Sequence, residues 1–236
     1  MSFYAILKVG GSLSRLKAAD SHLVLPDLCQ EIARLGADYP LLVVPGGGEF
    51  ADQVRLADRR FHLGDTAAHR MALLAMDQYG YLLHELIPHS VTVTKLLRAR
   101  RLSEGGQIPI LLPAVLLQQA DPLPHSWAIT SDTIAAWLAH LSGSSRLILL
   151  KDVDGLYTSW NSSSGIGNLI VDCTAADLEP HLGGVDESFA RYLTSLHLET
   201  WVINGAHPAR LSELLAAGCT LGTHIRPVIS EKGGAA

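Results

Sequence analysis

Two runs of strand length, each almost wholly apolar, end in paired or tripled glycines. They are Ala5-Ile6-Leu7-Lys8-Val9-Gly10-Gly11-Ser12 and Leu41-Leu42-Val43-Val44-Pro45-Gly46-Gly47-Gly48. A strand without polar alternation is buried on both faces, so helices must cover it on each side. This requirement limits the chain to an α/β architecture with a mostly parallel sheet. In such sheets the ligand crevice lies at the carboxyl ends of the strands, where both glycine turns fall.

The rest of the chain keeps the alternation. Residues 3–9 read as the first strand, and Leu23 to Leu35 has helical spacing with Gly36 as a stop. The strand at 41–44 is followed by a helix from about Glu49 to Leu56. Asp65 reads as an N-cap for a helix from Thr66 to about Leu86. Short strands fit at 91–94, 108–112 and 146–150, and Thr130 or Ser131 caps a helix through about His140. Asp154-Gly155 starts a hairpin whose polar tip spans 161–167. Helix, strand and helix then follow at about 186–197, 200–203 and 208–216, and residues 231–236 read as a frayed tail.

Composition excludes several classes. The formal net charge is −5, and Arg98, Arg100 and Arg101 form a short basic cluster, read as a solvated helix end; no nucleic-acid partner is expected. No apolar run approaches the roughly 20 residues of a membrane span, so no membrane partner is expected either. Cys29, Cys173 and Cys219 are odd in number and far apart, without disulfide or zinc spacing, which fits a reducing cytoplasm. At 236 residues, with 48% hydrophobic and 17% charged residues, the chain has more apolar surface than a monomer needs, so a homo-oligomer is expected.

Four places carry chemistry. Lys8 ends a strand beside Gly10 and Gly11, offering a point charge and close backbone approach to an anion. The plain structural alternative is a strand-to-loop turn with a surface lysine. Gly46, Gly47 and Gly48 make a second such turn, where a tight connection alone would need fewer glycines. Asp132, in the first turn of a small-residue helix, is placed to orient a lysine or simply to cap the helix. Lys151, Asp152 and Asp154 appear abruptly at the end of a buried strand, where a lysine meets phosphates and acids hold an orienting hydrogen bond or Mg²⁺. There is no GxxxxGK[ST] and no GxGxxG.

Together, KVGGS, PGGG, ITSDTIAAWLA and LLKDVDGLY, in this order, resemble the amino acid kinase family over nearly the whole chain; the closing Gly218 to Ile225 is similar to its terminal segment. The resemblance implies a three-layer αβα sandwich with a mostly parallel central sheet. It implies one domain over 1–230, with an acceptor-binding lobe at about 1–145 and a nucleotide-binding lobe at about 146–230. It implies ATP as donor, with Mg²⁺ carried by the ATP rather than by a protein cage, and a small phosphorylated molecule as acceptor. Lys8, Asp132 and Lys151 would be catalytic. Gly10, Gly11, Ser12, Lys151, Asp152, Asp154, Gly155 and Tyr157 would meet the nucleotide. Gly46, Gly47, Gly48, Arg55, His69, Ser131 and Asp186 would meet the acceptor.

The family's second lysine, after a glycine pair in the C-terminal part, is missing from Leu182-Gly183-Gly184-Val185-Asp186; Lys151 is the expected substitute. The helix at 65–80, with the segments at 46–52 and 185–187, is similar to the branch that phosphorylates (aminomethylfuranyl)methyl phosphate in methanofuran biosynthesis. Arg55 or Arg70 would meet the phosphate and Asp186 the amine. The alternatives are a non-catalytic nucleotide- or oxyanion-binding protein on the same fold, and a kinase for isopentenyl phosphate, UMP or acylglutamate.

Overall fold

A computed structural model of the chain describes residues 3–17, 22–161, 166–178 and 184–228. The hairpin tip at 162–165, Gly183 and the tail at 231–236 lie outside the described residues.

Eight strands form one sheet: β1 (Ala5–Val9), β2 (Leu41–Pro45), β3 (Ser90–Val93), β4 (Ile108–Leu111), β5 (Arg146–Lys151), β8 (Asp172–Thr174), β9 (Glu199–Asn204) and β10 (Thr223–Arg226). Their order is β3-β4-β2-β1-β5-β9-β10-β8, parallel except where β10 runs antiparallel to β9. The strands β6 (Leu156–Asn161) and β7 (Ile166–Ile170) pair separately as an antiparallel hairpin. The helices are α1 (Leu25–Gly36), α2 (Gly48–Phe61), α3 (Asp65–Leu86), α4 (Leu96–Glu104), α5 (Ala114–Ala120), α6 (Ser131–Leu141), α7 (Phe189–Leu196) and α8 (Ala209–Ala217). The expected α/β sandwich with a mostly parallel central sheet is what the chain forms.

Period two divides each buried strand between two cores. Ile6, Leu42, Val44, Leu147 and Leu149 join α6 and α7 on one face. Leu7, Val9, Leu41, Val43, Ile148 and Leu150 join α1 and α8 on the other. Lys8 shares the parity of Ile6, and Lys151 that of Leu149, so both lysines project toward α6.

Several expectations need adjustment. Helix α2 extends five residues beyond Leu56. Asp65 is the first helical residue of α3, and Gly64 is its cap. Helix α4 carries Arg98, Arg100 and Arg101, and Arg100 donates to the Ser142 carbonyl at 3.0 Å. Elements α5, β8 and β10 were too short to show a periodicity. No described helix is long and apolar enough to cross a membrane.

Candidate active site

The two glycine turns meet. Gly10 N–H donates to Leu150 O at 2.8 Å and Gly46 N–H to Val9 O at 2.9 Å, so these two glycines continue the sheet ladder. A Cβ on Gly11 would lie 2.1 Å from Gly48 N, and one on Gly46 would lie 2.8 Å from Gly11 N. The absence of side chains lets the backbones touch and brings the ends of β1 and β2 together. Gly48 also has φ +56°, which glycine tolerates.

Beside these turns stand the two lysines. Lys8 Nζ lies 2.8 Å from Asp132 Oδ1, an ion pair rather than an aligned hydrogen bond. Lys151 Nζ donates to Asp132 Oδ2 at 2.6 Å. The carboxylate thus bridges two ammonium groups, all three side chains nearly buried. Burial alone would raise the Asp132 pKa; Lys151 and then Lys8 outweigh it and hold the group at about 2. Burial lowers the Lys8 pKa, Asp132 opposes that shift, and Lys151 adds to it. Two ammonium groups share one directly paired carboxylate at the carboxyl ends of β1 and β5, and Asp186 also attracts Lys8 through space; a pair of cations there suits a phosphoryl group.

Asp132 occupies the first turn of α6, and a second acid positions that turn. Asp186 Oδ2 accepts from Thr130 N–H, Thr130 Oγ1 and Thr133 N–H at 3.0–3.1 Å, and its Oδ1 accepts from Thr133 Oγ1 at 2.6 Å. Thr130 makes no side-chain cap of its own, so the cap comes from a residue 53 positions beyond Thr133. In this structure Asp186, the residue expected at an acceptor amine, caps a helix. Its carboxylate is engaged in holding α6, and it does not line the cavity described next. Burial, mainly, raises its pKa.

A cavity of about 190 Å³ opens between α2, α3, the glycine turns and the start of α6. Its α2 wall is Gly48, Ala51, Asp52 and Arg55; its α3 wall is Asp65, Ala68, His69, Ala72, Leu73 and Met76, each set at helical spacing. Gly11, Ser12, Gly47, Trp127, Thr130 and Ser131 also line it. Of the expected acceptor residues, Gly47, Gly48, Arg55, His69 and Ser131 are therefore brought together. Gly46 is covered by backbone instead. Gly11 and Ser12, expected at the nucleotide, share this wall. His69 stacks on His125 with centroids 4.4 Å apart, and burial lowers its pKa.

The remaining nucleotide candidates lie elsewhere. Asp154 Oδ1 accepts from Arg210 Nη1 at 2.6 Å and from Asn204 Nδ2 at 3.0 Å, which ties the β5–β6 turn to α8. A Cβ on Gly155 would meet Thr223 Oγ1 at 2.4 Å, so that glycine admits β10. Tyr157 sits in the hairpin opposite Leu169, and Asp152 is exposed. Sequence reasoning missed Arg15, Asp52 and Trp127. The sequence offered no role for any of the three, and only the meeting of α2, α3 and the 121–130 segment gives them a common cavity.

The amino acid kinase family matches residues 4–179. A relative from Methanocaldococcus jannaschii, named [5-(aminomethyl)furan-3-yl]methyl phosphate kinase, is 32% identical over 89% of this chain and 92% of its own length. An acetylglutamate kinase from Beutenbergia cavernae is 36% identical over 36% of this chain and 26% of its own. The fold is similar to a crystal structure of uridylate kinase from Archaeoglobus fulgidus, at a TM-score of 0.73 and 20% identity over 95% of this chain and all of the other.

Proposed function

The chain belongs to the amino acid kinase family and is a kinase; on that premise we propose that it moves the terminal phosphoryl group of ATP onto a small phosphate monoester. The bond from the γ-phosphorus to the β–γ bridging oxygen breaks, and a bond to an acceptor phosphate oxygen forms, giving ADP and an organic diphosphate. The observation that carries this reading is the pairing of Lys8 and Lys151 on Asp132 beside the converged glycine turns. Such a transfer needs positive charge and alignment, with no covalent enzyme intermediate. Lys151 takes the place of the absent C-terminal lysine.

Mg²⁺ would travel on the ATP phosphates and neutralise part of their charge. Asp132 is fully engaged by ammonium groups, and among the described residues no cluster of three His, Cys, Asp or Glu is arranged to cage a metal ion.

For the acceptor we favour (aminomethylfuranyl)methyl phosphate, its transfer product belonging to methanofuran biosynthesis. The support is the identity to the M. jannaschii kinase over most of both chains. The cavity agrees with a flat aromatic phosphate ester that carries an amine: Leu73, Met76, Trp127, Ile129 and Ile134 provide apolar surface, Arg15 and Arg55 provide cations, and Asp65 provides a carboxylate. In this reading residues to about 145 bind the acceptor, the remainder bind the nucleotide, and the protein works in the cytoplasm as a homo-oligomer. Exposed Leu56 and Phe61 on α2, and Leu74 and Tyr81 on α3, support association.

The test is ADP release from ATP and Mg²⁺ with a panel holding the furan phosphate, isopentenyl phosphate, UMP and acetylglutamate. Turnover with the furan phosphate alone is expected. Tight ATP binding without turnover on any acceptor would favour a storage or regulatory protein instead.

A further inference from the structure

The cavity wall carries a second arrangement of two cations on one carboxylate. Arg15 Nη1 lies 2.7 Å from Asp52 Oδ2, and Arg55 Nη1 lies 3.3 Å from Asp52 Oδ1. All three residues line the cavity. Unlike the lysine pair, these side chains are 52%, 39% and 39% exposed for Arg15, Asp52 and Arg55. Ion pairs at that exposure contribute little to folding, so stability does not account for the arrangement.

Ligand binding accounts for it better. Each guanidinium touches Asp52 through one terminal nitrogen, which leaves the rest of its planar fork of donors for another anion. Within this cluster two guanidiniums outnumber the one carboxylate they share; the cavity's other carboxylate, Asp65, stands on the α3 wall. Gly47 and Gly48, in the same wall, begin α2, whose first N–H groups have no helical acceptor. Arg55 is fixed from a second side: its guanidinium lies 4.7 Å from the centroid of Trp127, whose Nε1 donates to Asp58 at 2.7 Å.

We infer that Arg15 and Arg55 form a clamp for the phosphate of the acceptor, and that Asp52 is the positioning residue that holds both guanidiniums oriented before the phosphate arrives. The identity of that phosphate rests on the kinase reading above; the anion clamp does not. A dianionic phosphomonoester accepts bidentate hydrogen bonds from both forks and displaces part of the weak pairing to Asp52. The γ-phosphate of ATP has the same chemistry, and the experiment separates the two sources.

The test is calorimetric titration of the full chain with benzyl phosphate and, separately, with ATP and Mg²⁺. Arg15→Ala and Arg55→Ala are each expected to weaken benzyl phosphate binding about tenfold, with ATP affinity changed less than about twofold. Asp52→Ala is expected to weaken benzyl phosphate several-fold although it removes a negative charge, and Asp52→Glu to restore most of the affinity. Wild-type protein that fails to bind benzyl phosphate, or arginine variants that bind it unchanged, would overturn the clamp. An equal loss of ATP affinity would assign the arginines to the nucleotide. Tighter binding in Asp52→Ala would make Asp52 a competitor instead of a positioning residue. Benzyl phosphate binding through the arginines with no ADP release on any acceptor would sink the kinase reading and leave the clamp standing. Turnover with an acceptor KM unchanged in both arginine variants would do the reverse.

Discussion

Lys8 and Lys151 hang from the same face of neighbouring parallel strands. Lys8 is in register with Leu149, two residues before Lys151, so strand parity alone aligns their side chains. Asp132, on the helix that covers this face, meets both. A single buried carboxylate thereby fixes the spacing of two cations at the carboxyl edge of the sheet.

Removing one cation should impair chemistry more than ATP binding. Lys8→Ala is expected to lower kcat roughly a thousandfold, the low end for a group that stabilises a transferring phosphoryl, with the Kd for ATP changed far less. Asp132→Asn should lower kcat to a similar degree because both ammonium groups lose their common anchor. Single-turnover phosphoryl transfer with a parallel ATP titration checks both, and an unchanged kcat in Lys8→Ala would remove the triad from catalysis.

The buried pair predicts a distinctive pH profile. Lys8 must be protonated to act, and its pKa is lowered by burial, so activity should fall on the alkaline side below the ordinary lysine value of 10.5. The unfolded chain binds more protons than the folded one over that window, so Lys8 makes folding stability rise, not fall, with pH there. Asp132, whose pKa is also lowered, gives a slope of the same sign in its own window. Its stabilisation is complete above the ordinary carboxylate value near 4 and is lost as pH drops through about 2. A kcat–pH profile of the wild type and of Lys8→Arg, whose guanidinium stays charged, checks the alkaline limb; that limb should be absent in the variant.

Asp186 should behave as a structural cap. Asp186→Ala removes four hydrogen bonds from the start of α6 and is expected to cost about 2 kcal/mol, the upper range for a lost helix cap. For a chain of this size that lowers Tm by roughly 4–8 °C. The KM for an amine-bearing acceptor should stay within the range set by the general loss of stability. A large KM rise confined to amine-bearing acceptors, with Tm unchanged, would return Asp186 to the substrate site.

Glycine at position 11 is demanded by the neighbouring turn. Gly11→Ala would place a Cβ 2.1 Å from Gly48 N, against backbone that cannot give way cheaply. A loss of about 3 kcal/mol or more is expected, at the top of the overpacking range. Gly64→Ala, with nothing within 4 Å of the added carbon, should cost less than about 1 kcal/mol. Thermal melts of the two variants give the comparison.

Much of this was legible along the chain. Continuous apolar runs specify doubly buried strands, and glycine pairs at their ends specify backbone contact, because both are local demands of burial and sterics. Those features in Ala5–Val9 and Leu41–Pro45 located the sheet centre and the carboxyl edge, and the order of the motifs pointed to the family. Lys8, Asp132 and Lys151 were each visible as polar residues at the ends of apolar elements.

What each carboxylate does was not local. Asp132, Asp186, Asp52 and Asp154 look alike in sequence, yet the fold gives them four partners: two lysines, a helix start, two arginines, and the Arg210–Asn204 pair. Charge pairing depends on distances of a few ångströms between residues up to 124 positions apart in the chain, as between Lys8 and Asp132. The sequence determined that the chain is an α/β protein with an anion-ready sheet edge, because strand burial and glycine sterics act between neighbours. Only the tertiary structure decided which acid neutralises which cation, because that follows from strand register and from helices meeting across the sheet.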